Sequence, residues 1–209
     1  MNERINARRA TVEDHAMVTA IVAAAFEHDP LWSRALSRPD GTTGHHTAFW
    51  AEFVAGALGH HWTWISDGDQ AVAVWIPPGA DELTPEGEER VTALAHEHLG
   101  PTAHVYLEIL QRFEAAHPRR EGHYYLSLLA TDIQHRGKGA GMALLRHNLG
   151  LIDAQCAPAY LESSNPANDQ RYATEGFQPE GTIVYPGGGL TVTTMWRPAR
   201  AGLALGRES

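Results

Sequence analysis

The residues with the most legible chemistry are Gln134-His-Arg-Gly-Lys-Gly-Ala-Gly-Met142, set between an apolar run and an amphipathic one. Glycines at 137, 139 and 141 let the backbone turn so that successive N–H groups face one point, and a helix starting there adds the positive end of its dipole. Such a turn is a cradle for a pyrophosphate. Arg136 and Lys138 add positive side chains, unless both point to solvent. Triphosphate loops and dinucleotide folds use the same physics. A triphosphate loop needs a hydroxyl after its lysine to reach magnesium, and here Lys138 is followed by Gly139. The dinucleotide fingerprint needs Gly-x-Gly-x-x-Gly after a first strand, whereas Gly-x-Gly-x-Gly starts here at residue 137, well along the chain.

A second cluster follows at Leu161-Glu-Ser-Ser-Asn-Pro-Ala-Asn-Asp-Gln-Arg-Tyr-Ala-Thr-Glu-Gly-Phe177. As local structure alone, Asn165 is a helix cap, Tyr172 a core aromatic and Gly176 a helix stop. With the glycine turn before it, the order carries more. The spacing Arg136-x-x-Gly139-x-Gly141 resembles the coenzyme A pyrophosphate loop of the GCN5-related N-acetyltransferase (GNAT) superfamily, and Asn165, Tyr172, Gly176 and Phe177 match the segment after that family's fifth strand. Within the superfamily the chain is similar to puromycin N-acetyltransferase-like proteins. The shared features are Ala71-Val-Ala-Val-Trp75 with Pro78, Gly137-Lys-Gly139, Leu161-Glu-Ser-Ser, the Asn168 to Tyr172 interval, Glu175-Gly-Phe177, Trp196 and Arg197. The likeness runs from residue 5 to 198, strong over 123–177 and 62–78 and poor over 79–120, the part that helps shape an acceptor pocket.

The resemblance implies an α/β (α+β) GNAT fold: a mixed, mostly antiparallel sheet of about seven strands flanked by helices, with strands four and five splayed. It implies an N-acetyltransferase that moves an acetyl group from acetyl-CoA to a primary amine by direct attack, with no metal and no covalent enzyme intermediate. Backbone groups of Leu129, Ala130 and Thr131 then pair with the pantetheine arm. The amides of Arg136, Gly137, Lys138, Gly139, Ala140, Gly141 and Met142 hold the pyrophosphate, and Asn165 and Asn168 contact the cofactor. Tyr172 is the acid for the coenzyme A sulfur. Glu162 is the first choice of base, with Glu27, His28 or relayed water as alternatives and a purely structural carboxylate as the plain reading. Phe26, Asp29, Trp32, Trp50 and Tyr185 are expected to line the acceptor pocket, since aromatic walls with a few acids suit a cationic or aromatic amine, although each also reads as a core or rim residue. The acceptor is expected to be a small molecule rather than a protein lysine. The competing reading is a non-catalytic acyl-CoA-binding sensor or interaction module.

These groups need elements to position them. Arg4–Arg9 reads as a strand, and Thr11 with Asp14 as a capping box before a helix carrying Val18, Ile21, Val22 and Ala25 up to Asp29-Pro30. Pro30–Gly44 reads as irregular, Thr47–Leu58 as a helix, and Trp62–Ile76 as a hairpin around Asp67-Gly68. Helices follow after Thr84-Pro85, stopped by Gly100-Pro101, and over Ala103–Ala116. The nearly continuous apolar run His123–Thr131 predicts a central strand covered on both faces. Met142, Leu145, Leu149 and Ile152 mark a helix over Gly139–Gln155; then come a strand at Ala159–Glu162, a helix from Asn165 to Gly176, and two strands around Pro186–Gly189. Residues 1–198 form one domain and 199–209 a flexible tail.

Composition closes off other classes. A net charge of -9 over 209 residues argues against a broad basic face for nucleic acid. No apolar stretch approaches the ~20 residues of a membrane span. The N-terminus lacks a signal-peptide core, so a cytoplasmic protein, monomer or homodimer, is expected. Cys156 has no disulfide partner in the chain and reads as a packed thiol at a helix end. The thirteen histidines, mostly adjacent pairs and singles, lack helical metal spacing and read as surface or loop residues.

Overall fold

The computed structural model describes residues 5–200. The backbone N–H of Thr11 donates to Asp14 at 2.8 Å, the capping box the sequence predicts, and a short 3-10 turn leads into α1 (His15–Phe26) after β1 (Ala7–Arg9). The predicted first strand is shorter than Arg4–Arg9, and Arg4 lies outside the described residues. Next come α2 (Trp32–Ala35), α3 (His46–Leu58), β2 (Thr63–Ser66), β3 (Ala71–Ile76), α4 (Pro85–Leu99), α5 (Ala103–Ala116) and β4 (Tyr124–Thr131). The chain ends with α6 (Ala140–Asp153), β5 (Ala159–Ser163), α7 (Asp169–Thr174), β6 (Gln178–Val184) and β7 (Thr191–Arg197). Residues 201–209, most of the expected tail, lie outside the described part.

The strands form one sheet in the order β1-β2-β3-β4-β5-β7-β6, with β4 and β5 parallel and every other neighbouring pair antiparallel. This is the mixed seven-stranded sheet expected. Strand alternation sorts the core into two layers. Ala71, Ala73 and Trp75 of β3 join Leu144, Leu145, Leu149 and Ile152 of α6 on one face, while Val72, Val74 and Ile76 join α1, α3, α4 and α5 on the other.

Two irregularities in β4 shape the centre. Val74 pairs with Leu128 but Trp75 with Leu126, so Ser127 is an extra residue that bulges from the ladder. The bulge reverses the alternation: Tyr124 and Leu126 point into the layer under α6, whereas Leu128 and Ala130 point into the opposite one. Beyond the bulge β4 also parts from β5. The two pair only from Tyr124–Ala159 to Leu126–Leu161, after which β5 continues on β7 alone. β4 is the central strand expected, with α1 on one face and α6 on the other, but its cover is uneven. Tyr124, Leu126, Leu128 and Ala130 are buried, but Tyr125, Ser127, Leu129 and Thr131 are only partly so, because they border the space that opens between the two strands.

Other departures have local causes. The segment expected to be irregular contains α2, whose first N–H groups, on Leu31 and Trp32, donate to the Asp29 carboxylate at 3.0 and 3.1 Å. His45 and His46 are buried rather than superficial, and each places Nε2 on the Leu36 carbonyl, at 2.8 and 3.2 Å. Burial lowers the pKa of both, so they remain neutral donors that pin α2 to α3. Cys156 is exposed, not packed, at a positive φ of 51° just past α6.

Arg197, which the sequence marks at the end of the last strand, is 2% exposed and ties β7 to the ends of α6 and α7. Its guanidinium grips both Asp153 oxygens at 2.6 and 2.7 Å, and its Nε donates to the Glu175 carbonyl at 2.9 Å. Removing the carboxylate strands a buried cation, so Asp153→Ala is expected to cost about 3 kcal/mol in urea unfolding. A loss below about 1 kcal/mol would show that solvent replaces the pair.

Candidate active site

The separation of β4 and β5 leaves the β5-facing edge of β4 from Ser127 to Thr131 without a strand partner, in the middle of a sheet. Buried backbone donors and acceptors demand partners, so this edge is a ready template for an extended ligand. At its end the chain turns through Gly137 (φ 77°) and Gly139 (φ 84°), where no neighbouring atom approaches the position of a Cβ. The positive φ at Gly139, the N-cap of α6, is what glycine supplies. A Cβ at Gly141 would sit 2.6 Å from Thr131 Oγ1, so the first turn of α6 is pressed onto the end of β4. The free strand edge and the open N-terminus of a 14-residue helix thus adjoin. They fit an extended arm ending in a pyrophosphate. Arg136 does not aim into the cradle: its guanidinium donates to the carbonyls of Ala24 and Ala25 at 3.0 Å each and caps the end of α1. Lys138 is exposed at the rim.

From the strand gap a cavity of about 1360 Å³ extends over the α1 to α5 face. Its walls include Phe26, Asp29, Trp32 and Trp50, with Glu162, Asn165, Asn168 and Tyr172 at the gap itself. Trp50 packs on Phe26 and Trp32 with ring centres 5.0 and 5.3 Å apart, so these aromatics are core and wall at once. Tyr185 is not in the wall. It is 7% exposed beneath the Arg34 guanidinium, 4.2 Å away, and that expectation is corrected. Asp29 borders the cavity, but its carboxylate is committed: one oxygen caps α2 and the other accepts from Ser164 Oγ at 2.7 Å. It ties α2 to the end of β5. Asn165 caps the following turn, accepting from Ala167 N at 3.1 Å, and Asn168 accepts from Arg171 at the same distance. Of the alternative bases, His28 borders the cavity while Glu27 lies outside its walls and accepts from Thr43 Oγ1.

Glu162 is the first residue of β5 past its last pair with β4, on the face opposite α6, and its side chain is 3% exposed. Burial pushes its carboxyl up to about 8, with the Tyr125 phenol offsetting part of the shift and the charge of Glu82 adding to it. Tyr172, on α7, packs edge-on against Phe177 at 6.2 Å, and burial pushes its phenol up to about 12. At neutral pH one is therefore a carboxyl poised to give and take a proton, the other a phenol that keeps its own.

Two further groups were not legible in the sequence. Glu82, in the loop between β3 and α4, is pushed up to about 7 by burial and accepts from Ser127 Oγ at the β4 bulge. His117, just past α5, places Nδ1 3.9 Å from Glu162. Its Nε2 is 3.1 Å from His123 Nε2, and His123 Nδ1 lies 2.9 Å from the Glu121 carbonyl. A carbonyl only accepts, so His123 carries its hydrogen on Nδ1 and accepts at Nε2 from His117. The lone pair of His117 Nδ1 then faces Glu162. Burial pushes His117 down to about 4, which keeps it neutral. Both groups belong to the stretch between residues 79 and 120, where no motif stands out and only folding brings residue 82 to 127 and 117 to 162.

No protein-family model matches the chain. Solved structures share its fold along nearly its whole length. One is the histone acetyltransferase HPA2 and related acetyltransferase from Corynebacterium glutamicum, with 22% identity, a TM-score of 0.67, and coverage of 95% of this chain and 98% of that one. Another is a polyamine N-acetyltransferase from Drosophila melanogaster, an enzyme that forms N-acetylagmatine, with 17% identity, a TM-score of 0.65, and coverage of 93% and 99%. A GCN5-related N-acetyltransferase from Rhodopseudomonas palustris aligns with 16% identity, a TM-score of 0.53, and coverage of 95% and 98%. At these identities the likeness establishes the fold, which is the GNAT fold.

Proposed function

We propose that the protein is an N-acetyltransferase that moves the acetyl group of acetyl-CoA to the primary amine of a small molecule. The observation that carries this reading is the opening of β4 from β5 after Leu126 and Leu161, with the glycine turn at one end of the free edge and Glu162 and Tyr172 at its mouth. The fold shared with acetyltransferases of amines supports it, as do the motifs shared with puromycin N-acetyltransferase-like proteins.

In this reading the backbone of Leu129 to Thr131 aligns the cofactor arm, the amides from Arg136 to Met142 hold its pyrophosphate, and Asn165 and Asn168 border the arm. Acetyl-CoA, when bound, supplies an acetyl carbon activated by its thioester. Glu162, as the carboxylate, takes one proton from the incoming ammonium. An alkylamine with pKa ~10.4 gives its proton to a carboxylate near 8 at a cost of about 3 kcal/mol, small beside the barrier of a typical enzymatic step. The freed nitrogen attacks the acetyl carbon, the N–C bond forms and the C–S bond breaks; Tyr172 gives its phenolic proton to the departing sulfur, and the second proton that the nitrogen loses as the amide forms restores the phenol. Glu162 sheds its proton outward past His117, whose lone pair faces it and whose side chain is 25% exposed. Cavity walls of Phe26, Trp32 and Trp50 exclude water from the acyl group.

The test is release of free thiol from acetyl-CoA by the purified protein across a panel of primary amines. Amine-dependent thiol release, matched by one acetyl group per product molecule, is expected. Thiol release that no amine raises above the hydrolysis background would overturn the reading and favour an acyl-CoA-binding module.

A further inference from the structure

Charge balance in the cavity goes beyond a single amine. Seven acidic residues border it; Glu82 and Glu162 are the two whose carboxyls burial pushes up to about 7 and 8, and among the described residues neither has an arginine or lysine within salt-bridge distance. Three arginines line the same cavity, and each is engaged away from Glu82 and Glu162: Arg119 with Glu114, Arg136 with the α1 carbonyls, Arg171 with Asn168. The fold places Glu82 with care. Gly56 of α3 lies against the Glu82 backbone so closely that any Cβ there would collide with the Glu82 carbonyl, and Ser127, the bulged residue of β4, donates to its carboxylate. Buried carboxyls without cations are held largely as neutral acids near neutral pH, so a ligand that brings positive charge to the pair gains by ionising them.

A monoamine supplies only half of this. Its one ammonium gives a proton to Glu162 and ends as a neutral amide, which leaves Glu82 facing apolar carbons. We infer that the acceptor is a dication, a diamine or an amine bearing a second cationic group, whose reacting nitrogen faces Glu162 while Glu82 holds the non-reacting end. The inference rests on the acetyl-transfer reading for the role of Glu162, and on the cavity alone for the role of Glu82. The position of Glu82 near neutrality suits the task, since a carboxyl raised to about 7 by burial ionises as a cation arrives.

The experiment compares propylamine, butylamine and pentylamine with the corresponding α,ω-diamines, by thiol release and by calorimetric binding in the presence of coenzyme A. The best diamine is expected to exceed its monoamine in kcat/KM by at least about tenfold, the worth of one charge-assisted hydrogen bond, and to bind detectably. In Glu82→Gln the ratio is expected to collapse toward one while coenzyme A still binds, which shows the variant folded. Should Glu82→Gln not fold, Glu82→Asp keeps the charge, withdraws it by one methylene, and is expected to move the optimum to a longer diamine. Equal rates for mono- and diamines, or a preference that survives at Glu82→Gln, overturns the inference. Diamine binding that depends on Glu82 without any thiol release supports it and overturns the acetyl-transfer reading instead.

Discussion

Glu162→Gln is expected to lower kcat/KM by about 10²- to 10³-fold and to remove an ionisation from its pH profile. The wild-type carboxyl sits near 8 because it is buried, and it must be ionised to accept the ammonium proton. Rate should therefore fall as pH drops through about 8, and fall more steeply below about 7 as Glu82 also takes up a proton. In Glu162→Gln only the Glu82 step and the titration of the substrate amine remain. The same shifts set the sign of a stability test. Both carboxyls have folded-state pKa values above their ordinary one, so they oppose folding only when ionised. Their contribution is intact below the unfolded pKa and is lost as pH rises through about 7 to 8. Glu162→Gln should thus melt higher than the wild type at pH ~9 and close to it at pH ~4. A variant that loses activity but melts lower at high pH would mark Glu162 as a structural residue. One that keeps the step near 8 would pass the role of base to His28 or to relayed water.

Tyr172→Phe is the second large expected effect: a fall of about 10- to 100-fold in kcat with little change in acetyl-CoA affinity. Phenylalanine preserves the edge-on contact with Phe177, so packing on α7 is retained and only the proton donor is lost. With its phenol pushed up to about 12, chiefly by burial and then by the charges of Asp29 and Asp169, Tyr172 stays protonated across the working range and adds no falling limb below pH ~11. The departing thiolate, with a thiol pKa of ~8.5, is a weaker base than tyrosinate, so the donor serves by position and by reprotonation from the nitrogen as the amide forms. A more acidic leaving thiol should shrink the defect. Unchanged turnover with a good acceptor would remove Tyr172 from the chemistry and leave it as a wall of the gap.

Local physics made much of the site legible in the chain. Glycine spacing at 137, 139 and 141 dictated a strand-to-helix turn with converging N–H groups, and the structure has positive φ at Gly137 and Gly139 and α6 beginning at Ala140. Asn165, Gly176 and Thr84 acted through their immediate neighbours, so caps and stops fell where expected. The roles of Arg136 and Asp29 were not legible, because their partners lie far away in sequence: carbonyls of α1 for the one, Ser164 for the other. Tyr185 misled for the same reason, since an aromatic on a final hairpin can face a pocket or an arginine with equal propensity.

The chain by itself therefore determined the elements, the glycine turn and the residue types able to bind a pyrophosphate and move a proton, since these depend on contacts within a few residues. The family likeness implies the splay of β4 from β5, but only tertiary structure decided three things: that the parting comes after three pairs, that Ser127 bulges, and that Glu82, Glu162 and His117 line one cavity. Sheet register and burial are set by packing between distant segments, and burial is what turns two ordinary glutamates into groups that titrate near neutrality.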